Sequence, residues 1–316
     1  MKNTTFTIDQ VAELRRLEKS RMSEGRSGLR GEVQDLITAV KTGDVGSPGE
    51  SETPSADLYA NEQVTSKYGY VDWQGPKPVQ EQAHDLVERI SDLDISHVDE
   101  LAERYYESDV SEEHVGGYRD AAENGRSLVL SEGMDGLVVI PKMSAVARLE
   151  QRHKDWPDFN RAMFYLLGVM KAARSDFYDY TGGKVGPNRL RLHEPTVKVI
   201  QKLEADIPGD VLVIPVQTGL LHRGKSPRRA RVRFQFNEFG LDSFSVGCIL
   251  LTHPDRLKDS KGLWIDCPGA EFAPTAGSDF SPVPCWLWHD GELGFHWFWH
   301  DSVHECYGSA SARLPE

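Results

Sequence analysis

The sequence predicts an α+β fold that is mainly β, with a helical region ahead of a strand-rich core. Three observations predict it. Apolar residues recur at helical spacing in several stretches before residue 127. After it, short runs rich in β-branched and aromatic residues alternate with Gly, Pro and Asp. Near the end, two aromatic runs are joined by Asp290-Gly291, a hairpin-turn pair. Strands of this length and density predict a sandwich, jelly roll or barrel.

The elements follow in order. Thr7 and Asp9 offer helix caps before Val11, Leu14 and Leu17, and a second stripe holds Val33, Leu36, Ile37 and Val40. Residues 43–57 are rich in Gly, Ser, Pro and acid, which predicts a flexible segment with little apolar surface to bury. Residues 78–107 read as helical again, with Ser96 as a cap for the second of two helices. Strands are expected near 127–131, 136–140, 196–203, 211–216, 230–237, 243–250, 285–289 and 295–300, while 160–173 fits either a buried strand or a short helix. The domain reading is therefore 1–126 as a helical region packed on the core, and 127–316 as the core with its C-terminal aromatic hairpin.

Composition bounds the function. Lys and Arg number 36 against 49 Asp and Glu, a net charge of −13, which repels phosphate backbones and argues against nucleic acid. No apolar run is long enough to span a bilayer, and MKNTTFTIDQ lacks a signal-peptide core, so the expected location is the cytoplasm. Cys248, Cys267, Cys285 and Cys306 form no CxxC pair and are expected as reduced, mostly buried thiols.

The residues that could carry chemistry begin with His153-Lys154-Asp155. In an extended segment, positions i and i+2 face the same way, so His153 and Asp155 can address one metal. A distant His222 completes a two-histidine, one-carboxylate set, which leaves coordination positions open for a co-substrate and O2. His222 lies in a run with Gly209-Asp210, the apolar 211–216, Leu220-Leu221-His222-Arg223-Gly224, and then Pro227-Arg228-Arg229-Ala230.

That run resembles the phytanoyl-CoA dioxygenase family, and His153-Lys154-Asp155-Trp156-Pro157 resembles the family's upstream metal motif. The resemblance covers roughly 145–237. It implies a double-stranded β-helix (jelly-roll, cupin-like) core and an Fe(II)- and 2-oxoglutarate-dependent dioxygenase that oxidises a small molecule with O2. His153, Asp155 and His222 would be the metal ligands and catalytic residues. The family also places an arginine on the far carboxylate of 2-oxoglutarate. If 230–237 is a strand, Arg228 shares the parity of the apolar face, so it is preferred, with Arg231 and Arg233 as the other candidates.

Two further readings stay open. A cupin-like metal-binding protein without turnover would use His296, His300 and His304, which are spaced by four. A non-catalytic interaction protein would present the aromatic hairpin as a contact surface. Substrate identity and oligomeric state are not encoded in any motif.

Overall fold

The computed structural model describes residues 58–106, 128 and 130–314. The helices expected before residue 43 and the segment 43–57 lie outside the described residues.

Helix α1 (Val79–Arg89) buries Val79, Ala83 and Leu86 at helical spacing. Gln82, buried on the same face, donates to Leu137 O (2.9 Å) and accepts from Val139 N (2.9 Å), which pins α1 to the first strand. Helix α2 (Val98–Glu103) follows, with His97 rather than Ser96 at its N-cap. Of the strand expected at 127–131, Leu128 makes one antiparallel bridge to Tyr106.

Strand β1 (Gly136–Pro141) is buried along its whole length. Helix α3 (Met143–Ala147) leads through a loop to α4 (Asp158–Ala173), which resolves the ambiguous stretch as helix. Its buried Phe159, Ala162, Met163, Leu166, Leu167 and Met170 follow the helical period. Short strands β2 (Phe177–Asp179) and β3 (Leu190–Leu192) precede α5 (Glu194–Asp206). Strand β4 (Val211–Gln217) is the expected 211–216 strand, entered through Gly209 at φ +72°. A 3-10 turn (Leu220–His222), α6 (Pro227–Arg233), β5 (Glu238–Gly240) and α7 (Ser243–Thr252) come next. The chain closes with β6 (Trp264–Asp266), β7 (Ala270–Phe272), β8 (Pro282–His289), β9 (Glu292–Trp299), β10 (Tyr307–Ser309) and β11 (Ser311–Arg313).

Three expected strands are helices. At 196–203 the β-branched Val197 and Val199 suggest a strand, yet Thr196, Ile200 and Leu203 are the buried positions, and Pro195 stands in the first turn. At 230–237 the chain is instead in α6 up to Arg233, capped by the Ser226 hydroxyl, which accepts from Arg229 N at 3.1 Å. At 243–250 the chain forms α7, and the Asp242 carboxylate caps it by accepting from Phe244 N and Ser245 N. Every residue of α7 is buried, so no polar face revealed its period.

The fold is mixed α+β. One sheet has the order β1-β4-β11-β5, a second β10-β6-β8-β9-β2, and a third pairs β3 with β7. The first is antiparallel where its pairs are described, with Gly136 opposite Val216. The second is mixed: β10 runs parallel to β6 and β2 parallel to β9. Helix α7 touches β1 of one sheet and β8 of the other, and a single hydrophobic core includes Val138, Ile214, Leu166, Ile249, Trp286 and Phe295. The hairpin at 285–300 forms as expected, with Asp290 and Gly291 both at positive φ (51° and 85°), the pattern of a type I′ turn.

The chain crosses between sheets at Ser309–Ser311. β10 is an edge strand of the second sheet, while β11 lies between β4 and β5 in the first. That crossing brings the end of the chain against the 3-10 turn that carries His222.

Candidate functional site

His222 is held from three directions. Gln217, at the end of β4, accepts from Gly219 N (2.8 Å) and Leu221 N (3.3 Å), which shapes the turn. Gly219 takes φ +122°, and a Cβ there would meet Gly308 O at 2.9 Å, so the turn lies flat on β10. The ring of Phe234 packs 5.2 Å from the imidazole.

The decisive partner is Glu238 on β5. Its Oε1 lies 2.6 Å from His222 Nε2, and both side chains are buried. Glu238 also accepts from the Ser311 hydroxyl (2.6 Å) and from Gln235 N (2.9 Å). Gln217 in turn donates to Ser311 Oγ at 2.7 Å. Burial pushes the Glu238 carboxyl up, but the hydrogen bond from His222, the charge that ring carries when protonated, and the donors Gln235 N and Ser311 outweigh it and hold the group below the usual carboxylate range. An ionised carboxylate on Nε2 places the ring proton there. Nδ1 is then the acceptor nitrogen, and it is buried with no hydrogen-bond partner.

Lys225 stands in the same field. Its ammonium donates to Leu221 O at 3.1 Å. Burial lowers its pKa, and the charges of Arg233 and Arg229 lower it further. A carboxylate-held histidine beside a lysine with a depressed pKa is the kind of perturbed grouping that concentrates at functional sites.

The other expected site residues go elsewhere. His153 lies in a turn, closed by Trp156 N donating to His153 O at 3.0 Å, so the extended-segment geometry does not apply. Its ring stacks on Trp156 at 3.9 Å and meets Phe164 edge-on at 4.7 Å. Asp155 is exposed. Among the described residues no three His, Cys, Asp or Glu side chains are grouped so that they could hold a metal. Neither His153, Asp155 and His222 nor His296, His300 and His304 are brought together as such a group among the described residues.

The arginine argument changes with the secondary structure. Residues 227–233 are helical, so strand parity does not select Arg228. Arg228 bonds the Glu62 carboxylate through Nε (2.9 and 2.8 Å) and sits over the Tyr59 ring at 4.4 Å. Arg231 is buried and donates to Pro268 O (2.9 Å) and Ala270 O (3.2 Å). Arg233 is exposed. Arg228 and Arg231 thus serve different neighbours.

Glu238 escaped the sequence reading. It lies 16 residues beyond His222 with no motif between them, and its role depends on β11 bringing Ser311 beside it. Lys225 was legible only as one of many basic residues in the segment. No protein-family model, curated protein or solved structure was found to match this chain. The resemblance to phytanoyl-CoA dioxygenases therefore rests on the quoted residues alone.

Proposed function

We propose that the protein is an enzyme that transfers a proton through His222 on a small anionic substrate. One observation carries the reading: a buried imidazole with Nε2 held by Glu238 at 2.6 Å and Nδ1 without a partner. In that tautomer Nδ1 has a free lone pair, which is what a general base needs. Glu238 is the positioning residue, since it fixes the tautomer and supports the imidazolium once a proton is taken. Lys225, whose ammonium lies on Leu221 O and in the field of Glu238, supplies positive charge in this segment, in a molecule whose net charge of −13 otherwise repels anions.

The test is a panel of small carboxylates and phosphate esters, screened on the full chain by thermal shift and followed at the histidine ring nitrogens by NMR. The expected result is an anion that perturbs His222 Nδ1 and whose conversion falls about 10²–10⁴-fold in His222→Asn. A panel in which no anion moves that nitrogen ends the reading.

Iron- and 2-oxoglutarate-dependent oxygenation on a double-stranded β-helix core is the second proposal. It is supported by the resemblance and by Glu238, because metal-bound histidines commonly rest their other ring nitrogen on a carboxylate. The present placement of His153 and Asp155 does not fit it, so the iron would need other ligands beside His222. Iron-dependent succinate formation that vanishes in His222→Ala would establish this reading in place of proton transfer alone.

A further inference from the structure

The second sheet has two unlike faces. One, with Phe177, Trp286, Leu293 and Phe295, is packed into the main core. On the other, the registers place Tyr178 beside Gly294, with His296 two positions along on the same face.

At the β2 end of that face the rings form an open corner. Tyr178 and Tyr180 meet at 4.6 Å with their planes at 67°, and Tyr180 meets His296 at 4.9 Å and 58°. Tyr178 is 50% exposed and Tyr180 40%. These are not loosely held surface rings. Tyr180 N donates to Phe295 O at 3.0 Å. Asp179 ties down the following turn by accepting from Thr181 N (2.8 Å) and Gly183 N (2.6 Å). Gly294 provides the seat, since a Cβ there would stand 2.9 Å from Tyr180 Cε2.

The carboxylates that act on Tyr180 come from the hairpin turn. Glu292 and Asp290, at the hairpin turn, act on Tyr180, whose phenol is pushed up by burial first and then by these two carboxylates. His289 lies 3.3 Å from Asp290 and offsets it only when protonated. Aromatic faces attract cations through the ring quadrupole, and nearby carboxylates add to that attraction.

We propose that the corner of Tyr178, Tyr180 and His296, flanked by Glu292 and Asp290, binds an alkylammonium cation. The cation is either a free quaternary ammonium compound or the methylated lysine side chain of a partner; the recognising chemistry is the same. This site is separate from His222 and does not depend on the proton-transfer reading.

The experiment titrates the full chain, labelled at tyrosine, with choline and with tetramethylammonium at constant ionic strength, following the ring resonances by NMR. Choline's neutral isostere, with carbon in place of nitrogen, is the control, and cellobiose tests for sugar stacking. Saturable shifts at Tyr178 and Tyr180 are expected from both cations, with the isostere about tenfold weaker. Tyr180→Ala and Glu292→Gln should each weaken binding about fivefold, with circular dichroism checking that both variants stay folded. A trimethyl-lysine peptide that binds tighter than choline would assign the partner as a protein; equal affinity would assign the free compound. The proposal is overturned if neither cation binds saturably, if the isostere matches choline, if cellobiose binds where the cations do not, or if folded Tyr180→Ala binds as well as the parent.

Discussion

At the scale of single residues, the buried polar groups set the pH behaviour. His222→Ala would take one hydrogen-bond donor from the buried Glu238 carboxylate, a loss expected to cost about 1–3 kcal/mol in urea unfolding at neutral pH. The Glu238 carboxyl lies below its ordinary value in the folded state, so its contribution is present above the unfolded value near 4.3 and is lost as pH falls through the folded one. Asp266 has the opposite sign. Burial alone pushes its carboxyl up to about 8. Stability from this group is fully present below the unfolded value near 3.9 and declines as pH rises toward 8, by about 6 kcal/mol at most. Melting curves of Asp266→Asn against pH should lack that decline between about 4 and 8. A parent protein whose stability is flat over that window would show that Asp266 is not held protonated.

At the scale of elements, close approach decides which contacts the chain accepts. In α7, a Cβ at Gly247 would stand 2.6 Å from both Leu166 Cδ2 and Trp286 Cζ2. Gly247→Ala is expected to destabilise by about 1–3 kcal/mol through overpacking, read as a lower urea midpoint with an unchanged slope. Gly308 on β10 meets Gly219 in the turn before His222, where a Cβ would stand 2.1 Å from Gly219 O. Gly308→Ala should therefore disturb His222 as well as the sheet edge, visible as shifted His222 ring resonances. These elements were unequally legible. β1, β4 and the 282–299 hairpin could be read because apolar runs were bounded by turn residues with a known backbone preference. α5, α6 and α7 were misread as strands because β-branched content outweighed cap signals that were present, namely Pro195, Ser226-Pro227 and Asp242.

At the scale of the molecule, one core serves both sheets. Trp286 of the second sheet and Val138 of the first belong to the same cluster, with α4 and α7 contributing to it. The two sheets should therefore unfold together. Tryptophan fluorescence, weighted to Trp264, Trp286, Trp288, Trp297 and Trp299 in the second sheet, is expected to melt in step with far-ultraviolet circular dichroism. Two separated transitions would show that the shared core is not cooperative. No helix among the described residues is long and apolar enough to cross a membrane.

The sequence by itself determined the acidic surface, the helical period of α1, the apolar strands β1 and β4, and the I′ turn of the aromatic hairpin. These are local properties, set by side-chain period and backbone preference within a few residues. It also marked His222 as a residue of interest, through the order of its neighbours. Only the tertiary structure decided what His222 touches. The carboxylate is 16 residues away and the supporting Ser311 lies 73 residues beyond Glu238. It likewise decided that His153 stacks on Trp156, and that the fully buried 243–252 is helix. A fully buried segment has no polar face to reveal its period, and a long-range pair exists only once the sheet order has brought β5, β11 and β4 side by side.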